Sequence, residues 1–157
     1  MGLTKSYSII GFIITLLLSF IIASNIESYR HPESVNFLRE SLLESLEIQK
    51  ENSNNPMLED TFNKFIIDLE NNLVENKYKK LSLIRIIGCI VALFGGIFLR
   101  QKKKLGLHLF LGGNLFVLIA SFYFLGFGLS GWVINFSYLI FAILSMIYFI
   151  RKRAYLI

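Results

Sequence analysis

Four long runs of apolar residues alternate with polar segments along the chain. The runs cover residues 7–24, 82–99, 105–125 and 131–150. At 1.5 Å per residue, helices of these lengths measure about 27 to 32 Å, which matches the roughly 30 Å hydrocarbon thickness of a bilayer. Only a helix satisfies its own backbone hydrogen bonds when a single segment crosses lipid. The pattern therefore predicts four transmembrane helices, numbered here as spans one to four.

The polar segment between spans one and two, residues 25–81, has the pattern of two amphipathic helices. Pro32 favours the start of the first helix, and Pro56 favours the start of the second, after a turn-forming cluster at 51–55. Apolar residues recur at spacings of three and four in both: Val35, Leu38, Leu42 and Leu46, then Leu58, Phe62, Phe65, Ile66, Leu69 and Leu73. We expect an all-α fold, a four-pass transmembrane helix bundle with an extracytoplasmic two-helix hairpin between spans one and two.

The second amphipathic helix is predicted to continue into span two. No proline or glycine occurs between Met57 and Ile87, so no residue in that stretch favours a helix break. We therefore expect one continuous helix from about Pro56 through span two. The two apolar stripes are expected to pack on each other, or to leave one stripe open for a partner, because two helices alone bury little surface.

Basic residues near the span ends predict the orientation. Lys5, the cluster at 100–104 and the cluster at 151–153 all fall on one side of a four-pass chain, whereas the link at 126–130 carries no charge. The positive-inside rule places the basic side in the cytoplasm. The predicted organisation is a cytoplasmic N-terminus 1–6, span 7–24, outer hairpin 25–81, span 82–99, basic loop 100–104, span 105–125, outer loop 126–130, span 131–150 and a cytoplasmic tail 151–157.

The composition argues against a nucleic-acid partner, although the net charge is positive. The net charge is +5, but 54% of the residues are hydrophobic and 17% are charged, against about 25% charged in soluble domains. All 11 acidic residues lie between Glu27 and Glu75, within the hairpin segment. Richness in Ile, Lys and Asn favours a bacterial origin, so we expect the plasma (inner) membrane, with lipid as one partner.

Three polar residues within the spans are candidate intramembrane sites, because polar groups in lipid are costly. Arg85 either extends to the headgroups or faces the bundle and bonds Asn135, Ser82, Ser121 or Ser137. Asn114 lies near the midplane of span three, where it either forms an interhelical hydrogen bond or lines a pore. Asn135 lies on span four at a depth similar to that of Arg85.

Small residues repeat every four positions on two spans, a pattern that lets helices approach closely. We expect them to pack spans one and two together, or to form a contact with a second copy or a partner. The candidate packing residues are Gly11, Thr15, Ser19 and Ala23 on span one, and Gly88, Ala92 and Gly96 on span two.

The sequence contains few residues suited to catalysis. One cysteine excludes an internal disulfide, and the two histidines fall on opposite sides of the membrane. The glycine pairs lie within apolar helices rather than after a strand, so they do not predict a phosphate-binding loop. We therefore expect no catalytic, cofactor-binding or metal-binding residues and no enzyme activity.

The function expected from this pattern is that of an accessory or assembly subunit of the membrane. The outer hairpin would dock a partner protein, with Leu58, Phe62, Phe65 and Leu69 as candidate contact residues. One alternative is an oligomeric channel or small-solute conduit, and another is a sensor or immunity protein whose hairpin binds a ligand or toxin. A homo-oligomer is compatible with each of these functions.

Overall fold

The computed structural model describes residues 2–53 and 55–151, with side chains from Ile9 onward. These residues form six α-helices and no strand. The helices are α1 (Gly2–Arg30), α2 (Ser34–Glu51), α3 (Pro56–Asn72), α4 (Glu75–Arg100), α5 (Lys104–Leu125) and α6 (Leu129–Arg151). Helices α1, α4, α5 and α6 are long and apolar enough to cross a membrane. The predicted all-α fold is confirmed, as is the prediction of four helices apolar enough to span a membrane.

Two predicted features fall outside the described part of the chain. The first is the side chain of Lys5, in the predicted N-terminal segment 1–6. The second is the predicted tail beyond Arg151.

Two of the long helices extend past their apolar runs. Helix α1 continues to Arg30, beyond the first run, and α4 begins at Glu75, before the second run. The Ser28 and Tyr78 hydroxyls lie 3.3 Å apart, so α1 and α4 remain in contact past their apolar runs.

Helix α4 occupies the centre of the molecule because it packs against both α1 and α5. Close approach of backbones distinguishes the α4–α5 contact: a Cβ on Gly95 would lie 2.4 Å from the Phe110 nitrogen, and one on Gly113 would lie 2.6 Å from the Gly88 oxygen. On the α1 side the contact is looser, since a Cβ on Gly96 would lie 3.6 Å from Thr15 Oγ1. Helix α6 packs on α5 and completes the set of four long helices.

The buried apolar side chains form two clusters along these helices. The first, which we name the span cluster, consists of Ile14, Leu18, Cys89, Ala92, Leu99, Phe110, Val117 and Phe149. The second, which we name the cap cluster, consists of Val35, Leu46, Leu69, Leu73, Leu81 and Leu125. The cap cluster joins α2 and α3 to α4 and α5, so burial of apolar surface holds these two shorter helices on the bundle.

The continuous helix expected from Pro56 through span two is wrong. Helix α3 ends at Asn72, Leu73 has φ −93° and ψ 64°, and Val74 is extended with φ −113° and ψ 148°. The bend allows Leu73 and Leu81 to enter the same cluster, where both are fully buried. Lys77 Nζ donates to the Asn71 carbonyl oxygen at 3.0 Å, which stabilises the end of α3. Tertiary burial therefore breaks the helix without a proline or glycine.

The ends of α2 and α3 show how local sequence sets their limits. The Asn55 side chain accepts a hydrogen bond from the Met57 N–H at 3.0 Å, so the predicted start of a helix at Asn55-Pro56 is confirmed. Helix α2 begins at Ser34, two residues after the predicted start at Pro32. Residues 32 and 33 form a turn instead, closed by the Ser34 hydroxyl donating to the His31 carbonyl oxygen at 2.7 Å.

Contacts at both ends join α2 to α3. Lys50 and Glu59 form an ion pair of 3.9 Å beside the connecting turn. At the other end, Arg39 Nη1 donates to the Leu73 carbonyl oxygen at 3.4 Å. Asn36 donates to the carboxylate of Glu75, the first residue of α4. The α2–α3 pair is therefore attached to the bundle at the end where α4 begins.

Candidate functional site: a polar layer around Arg85

Arg85 lies between the two apolar clusters and links three helices. Its Nε donates to Ser121 Oγ on α5 at 3.0 Å, and its Nη2 donates to Asn135 Oδ1 on α6 at 2.5 Å. The side chain is half-buried and faces the bundle. Of the partners considered from the sequence, the structure brings Ser121 and Asn135 to Arg85.

On α4 and α5, the residues four positions to either side of the polar side chain are apolar and buried. Leu81 and Cys89 flank Arg85 on α4, and Leu125 and Val117 flank Ser121 on α5, all with no exposed surface. We name Arg85, Ser121 and Asn135 the polar layer. Because hydrogen bonds are stronger in surroundings of low dielectric, these bonds fix the relative positions of α4, α5 and α6.

A second hydrogen bond orients the Asn135 side chain. Its Nδ2 donates to the Gly131 carbonyl oxygen on the same helix at 2.7 Å, and the residue is fully buried. The amide oxygen is thereby directed at the guanidinium of Arg85. A neutral amide and a hydroxyl therefore orient the cation, but neither supplies a negative charge.

Asn114 forms a second interhelical link, deeper in the bundle. Its Nδ2 donates to the Phe110 carbonyl oxygen at 2.8 Å, and its Oδ1 accepts the Tyr138 hydroxyl at 2.9 Å. Since Asn114 is fully buried, both polar ends of its amide are used within the protein. This geometry favours a role in joining α5 and α6 over a role in lining a pore.

Sequence reasoning missed a polar junction between α3 and the start of α6. Asp68 Oδ2 accepts the Ser130 N–H at 2.9 Å and the Ser130 hydroxyl at 2.5 Å. Asn72 Nδ2 donates to Asp68 Oδ1 at 2.7 Å and orients the carboxylate. A carboxylate at a helix N-terminus binds free N–H groups and interacts favourably with the helix dipole.

The loop before α6 is shaped to receive that carboxylate. A Cβ on Gly128 would lie 2.3 Å from an Asp68 oxygen, and Gly126 has a φ of +77°, which favours glycine. The sequence signal available was the pair of glycines just before Ser130, a residue type that favours helix N-termini. Its partner could not be inferred, because Asp68 lies 62 positions away from Ser130.

The four candidate partner-binding residues have different surroundings. Leu69 is fully buried in the cap cluster, and Phe62 and Phe65 are half-buried against it. Leu58 is 48% exposed. The predicted stripe therefore faces the interior for most of its length, and only its first residue presents a large apolar surface to a partner.

The candidate packing residues divide between two contacts. On α4, Gly88 and Ala92 face α5, where a Cβ on Gly88 would lie 2.4 Å from Val117, while Gly96 faces Thr15 of α1. Gly11 lies against the Arg100 side chain, at 3.4 Å for an added Cβ. Ser19 and Ala23 are exposed, so the four-residue repeat of α1 is not buried along its whole length.

Within the described residues, no group of three or more His, Cys, Asp or Glu side chains could hold a metal ion. The cysteine, Cys89, is buried in the span cluster. The polar layer offers hydrogen-bond donors and a positive charge, which suit ligand binding and helix association. No family model matches the chain, and neither a curated protein nor a solved structure matches it.

Proposed function

We propose that this chain is a non-enzymatic multi-pass membrane protein that acts as an accessory or assembly subunit. In this proposal the α2–α3 pair is an extracytoplasmic helical hairpin that docks a partner protein, and the four long helices anchor it. The proposed membrane is the bacterial plasma membrane, with both termini in the cytoplasm. The basic residues at 100–104, on the opposite side from the acidic α2–α3 segment, support that orientation.

A cluster of exposed apolar residues at the turn between α2 and α3 carries the proposal. Ile48 lies in the last turn of α2, and Met57 and Leu58 lie in the first turn of α3; their exposed fractions are 53%, 80% and 48%. We name these three residues the apolar tip. The tip is at the end of the pair away from Leu73 and Glu75, so lipid around the spans does not account for its exposure.

The charges around the apolar tip indicate the chemistry of the partner surface. Glu44, Glu47 and Glu51 lie on the last turns of α2. In the first turns of α3, Glu59 pairs with Lys50 and Asp60 pairs with Lys64. An apolar centre with a charged rim is the usual anatomy of a protein interface. The partner surface should therefore be apolar at its centre and basic around it.

The experiment is affinity purification of the full chain from its native membrane in a mild detergent. We expect the wild type to retain a different protein at constant stoichiometry. A double variant, Met57→Ser with Leu58→Ser, should lose that protein while keeping its own elution volume and helix content, because both side chains are exposed. Charge reversal of Glu47 to Lys should weaken retention in a salt-dependent way.

The matched control is Phe37→Ser, which removes a side chain that is 78% exposed near the other end of α2. This variant should retain the partner as the wild type does. Recovery of the chain alone, as a pure homo-oligomer, would contradict the subunit proposal and would favour an oligomeric conduit. Equal loss in the tip variant and in Phe37→Ser would show that the tip is not the contact surface.

A further inference from the structure

Arg85 has more hydrogen-bond donors than the polar layer uses. An arginine side chain carries five N–H donors. Ser121 and Asn135 take one each, through Nε and Nη2, and among the described residues no hydrogen-bond partner is found for Nη1. The residue as a whole is half-buried. The guanidinium is therefore held in place with N–H donors left for a further acceptor.

The missing acceptor should be an anion from outside this chain. Every acidic residue lies between Glu27 and Glu75, so no span contains a carboxylate that could neutralise Arg85. A cation within the depth of the bilayer is stable only when paired or hydrated. Ser121 and Asn135 orient the charge but leave it uncompensated.

The polar layer lies within two turns of the ends of α5 and α6 that are nearest the α2–α3 pair. Ser121 lies four residues before the end of α5 at Leu125, and Asn135 lies six residues after the start of α6 at Leu129, about 6 and 9 Å along the helix axes. Tyr123 and Trp132, which are 80% and 47% exposed, lie within one turn of these residues. Exposed Tyr and Trp side chains mark the membrane interface, where phospholipid phosphates lie.

We propose that the polar layer binds a phosphate group, supplied by the headgroup of a phospholipid in the leaflet next to the α2–α3 pair. The planar guanidinium matches phosphate geometry and can give two parallel hydrogen bonds to it. Free inorganic phosphate shares this chemistry and is distinguished in the test. The proposal does not depend on partner docking at the apolar tip, which lies at the other end of α2 and α3.

The test uses the full chain purified in a maltoside detergent, which contains no phosphate. Native mass spectrometry measures binding of dioleoylphosphatidylglycerol, with dioleoylglycerol as a ligand of equal acyl chains and no phosphate. We expect wild-type protein to retain one phosphatidylglycerol molecule in preference to dioleoylglycerol. Arg85→Gln should weaken that binding about tenfold to a hundredfold, since charge-assisted hydrogen bonds are lost. Lys80→Gln, which removes an exposed cation near the same end of α4, should bind as the wild type does.

Two comparisons on wild-type protein keep the test independent of how well the Arg85 variant folds. Equal binding of phosphatidylglycerol and dioleoylglycerol, with no rise in melting temperature in inorganic phosphate, would overturn the proposal. A rise in melting temperature with inorganic phosphate alone would support a phosphate site and assign it to the free ion. Equal weakening in Lys80→Gln and Arg85→Gln would indicate diffuse surface attraction and would also overturn the proposal.

Discussion

Two adjacent glycines on α5 have opposite surroundings. A Cβ on Gly113 would lie 2.6 Å from both the Ala92 nitrogen and the Gly88 oxygen, which are backbone atoms of α4. A Cβ on Gly112 would meet nothing within 4 Å. The close approach of α4 and α5 therefore depends on one of the two glycines and not on the other.

We expect Gly113→Ala to destabilise the bundle, because backbone atoms cannot move aside as a flexible side chain can. Overpacking of this kind costs about 1–3 kcal/mol. Gly112→Ala should leave stability unchanged or raise it by up to about 1 kcal/mol, since alanine favours a helix. Thermal unfolding in detergent, followed by circular dichroism, measures both. Equal melting temperatures for the two variants would contradict the close contact.

The residue scale also shows which polar positions could be inferred from sequence. Arg85, Asn114 and Asn135 stand out because polar side chains are rare in apolar runs, and all three form interhelical hydrogen bonds. The sequence leaves three serines as possible hydrogen-bond partners of Arg85. Only the packing of α4 on α5 selects Ser121. Asp68 gave no signal, since an acidic residue on an amphipathic helix is ordinarily a solvated one.

At the scale of elements, hydrogen bonds between Asp68 and Ser130 hold the end of α3 against the start of α6. Asp68 bonds both the N–H and the hydroxyl of Ser130, and Gly128 leaves space for the carboxylate. The link joins a helix of the polar segment to the first turn of a span. It should therefore limit the opening of α3 away from the bundle.

We expect Asp68→Ala to loosen α3, because two hydrogen bonds to the first turn of α6 are lost together. The expected cost is about 1–2 kcal/mol, as for the loss of a helix N-cap. Hydrogen exchange of the α3 amides measures the effect. Glu70→Ala removes the same charge from an exposed position on the same helix and should leave exchange unchanged. Equal exchange rates in the two variants would show that the junction does not hold α3.

The break at Leu73 and Val74 shows where sequence patterns stop being informative for elements. No proline or glycine occurs between Met57 and Ile87, so local helix propensity predicted a continuous helix there. Burial of Leu69, Leu73 and Leu81 in one cluster favours a bend, and the buried apolar area outweighs the few backbone hydrogen bonds that the bend interrupts. Only contacts with other helices distinguish these outcomes.

At the scale of the whole molecule, the orientation of the chain remains a prediction that labelling can test. In a Cys89→Ser background, cysteine is introduced at Met57 or at Gln101, both of which are exposed. We expect a membrane-impermeant maleimide to label Met57→Cys in intact cells. Gln101→Cys should be labelled only after the membrane is permeabilised, because it lies within the basic loop. Labelling of both positions from outside would contradict the proposed topology.

The sequence by itself determined the helical class, the four apolar helices and the polar residues that stand out within them. These follow from the length of the apolar runs and from the cost of unpaired backbone groups in lipid. The tertiary structure alone decided that Gly88 and Ala92 face α5, that α3 bends away from α4, and that Asp68 meets Ser130. Each of these depends on which surfaces of separate helices meet, and side-chain contacts between distant positions carry no periodic signal in a single sequence.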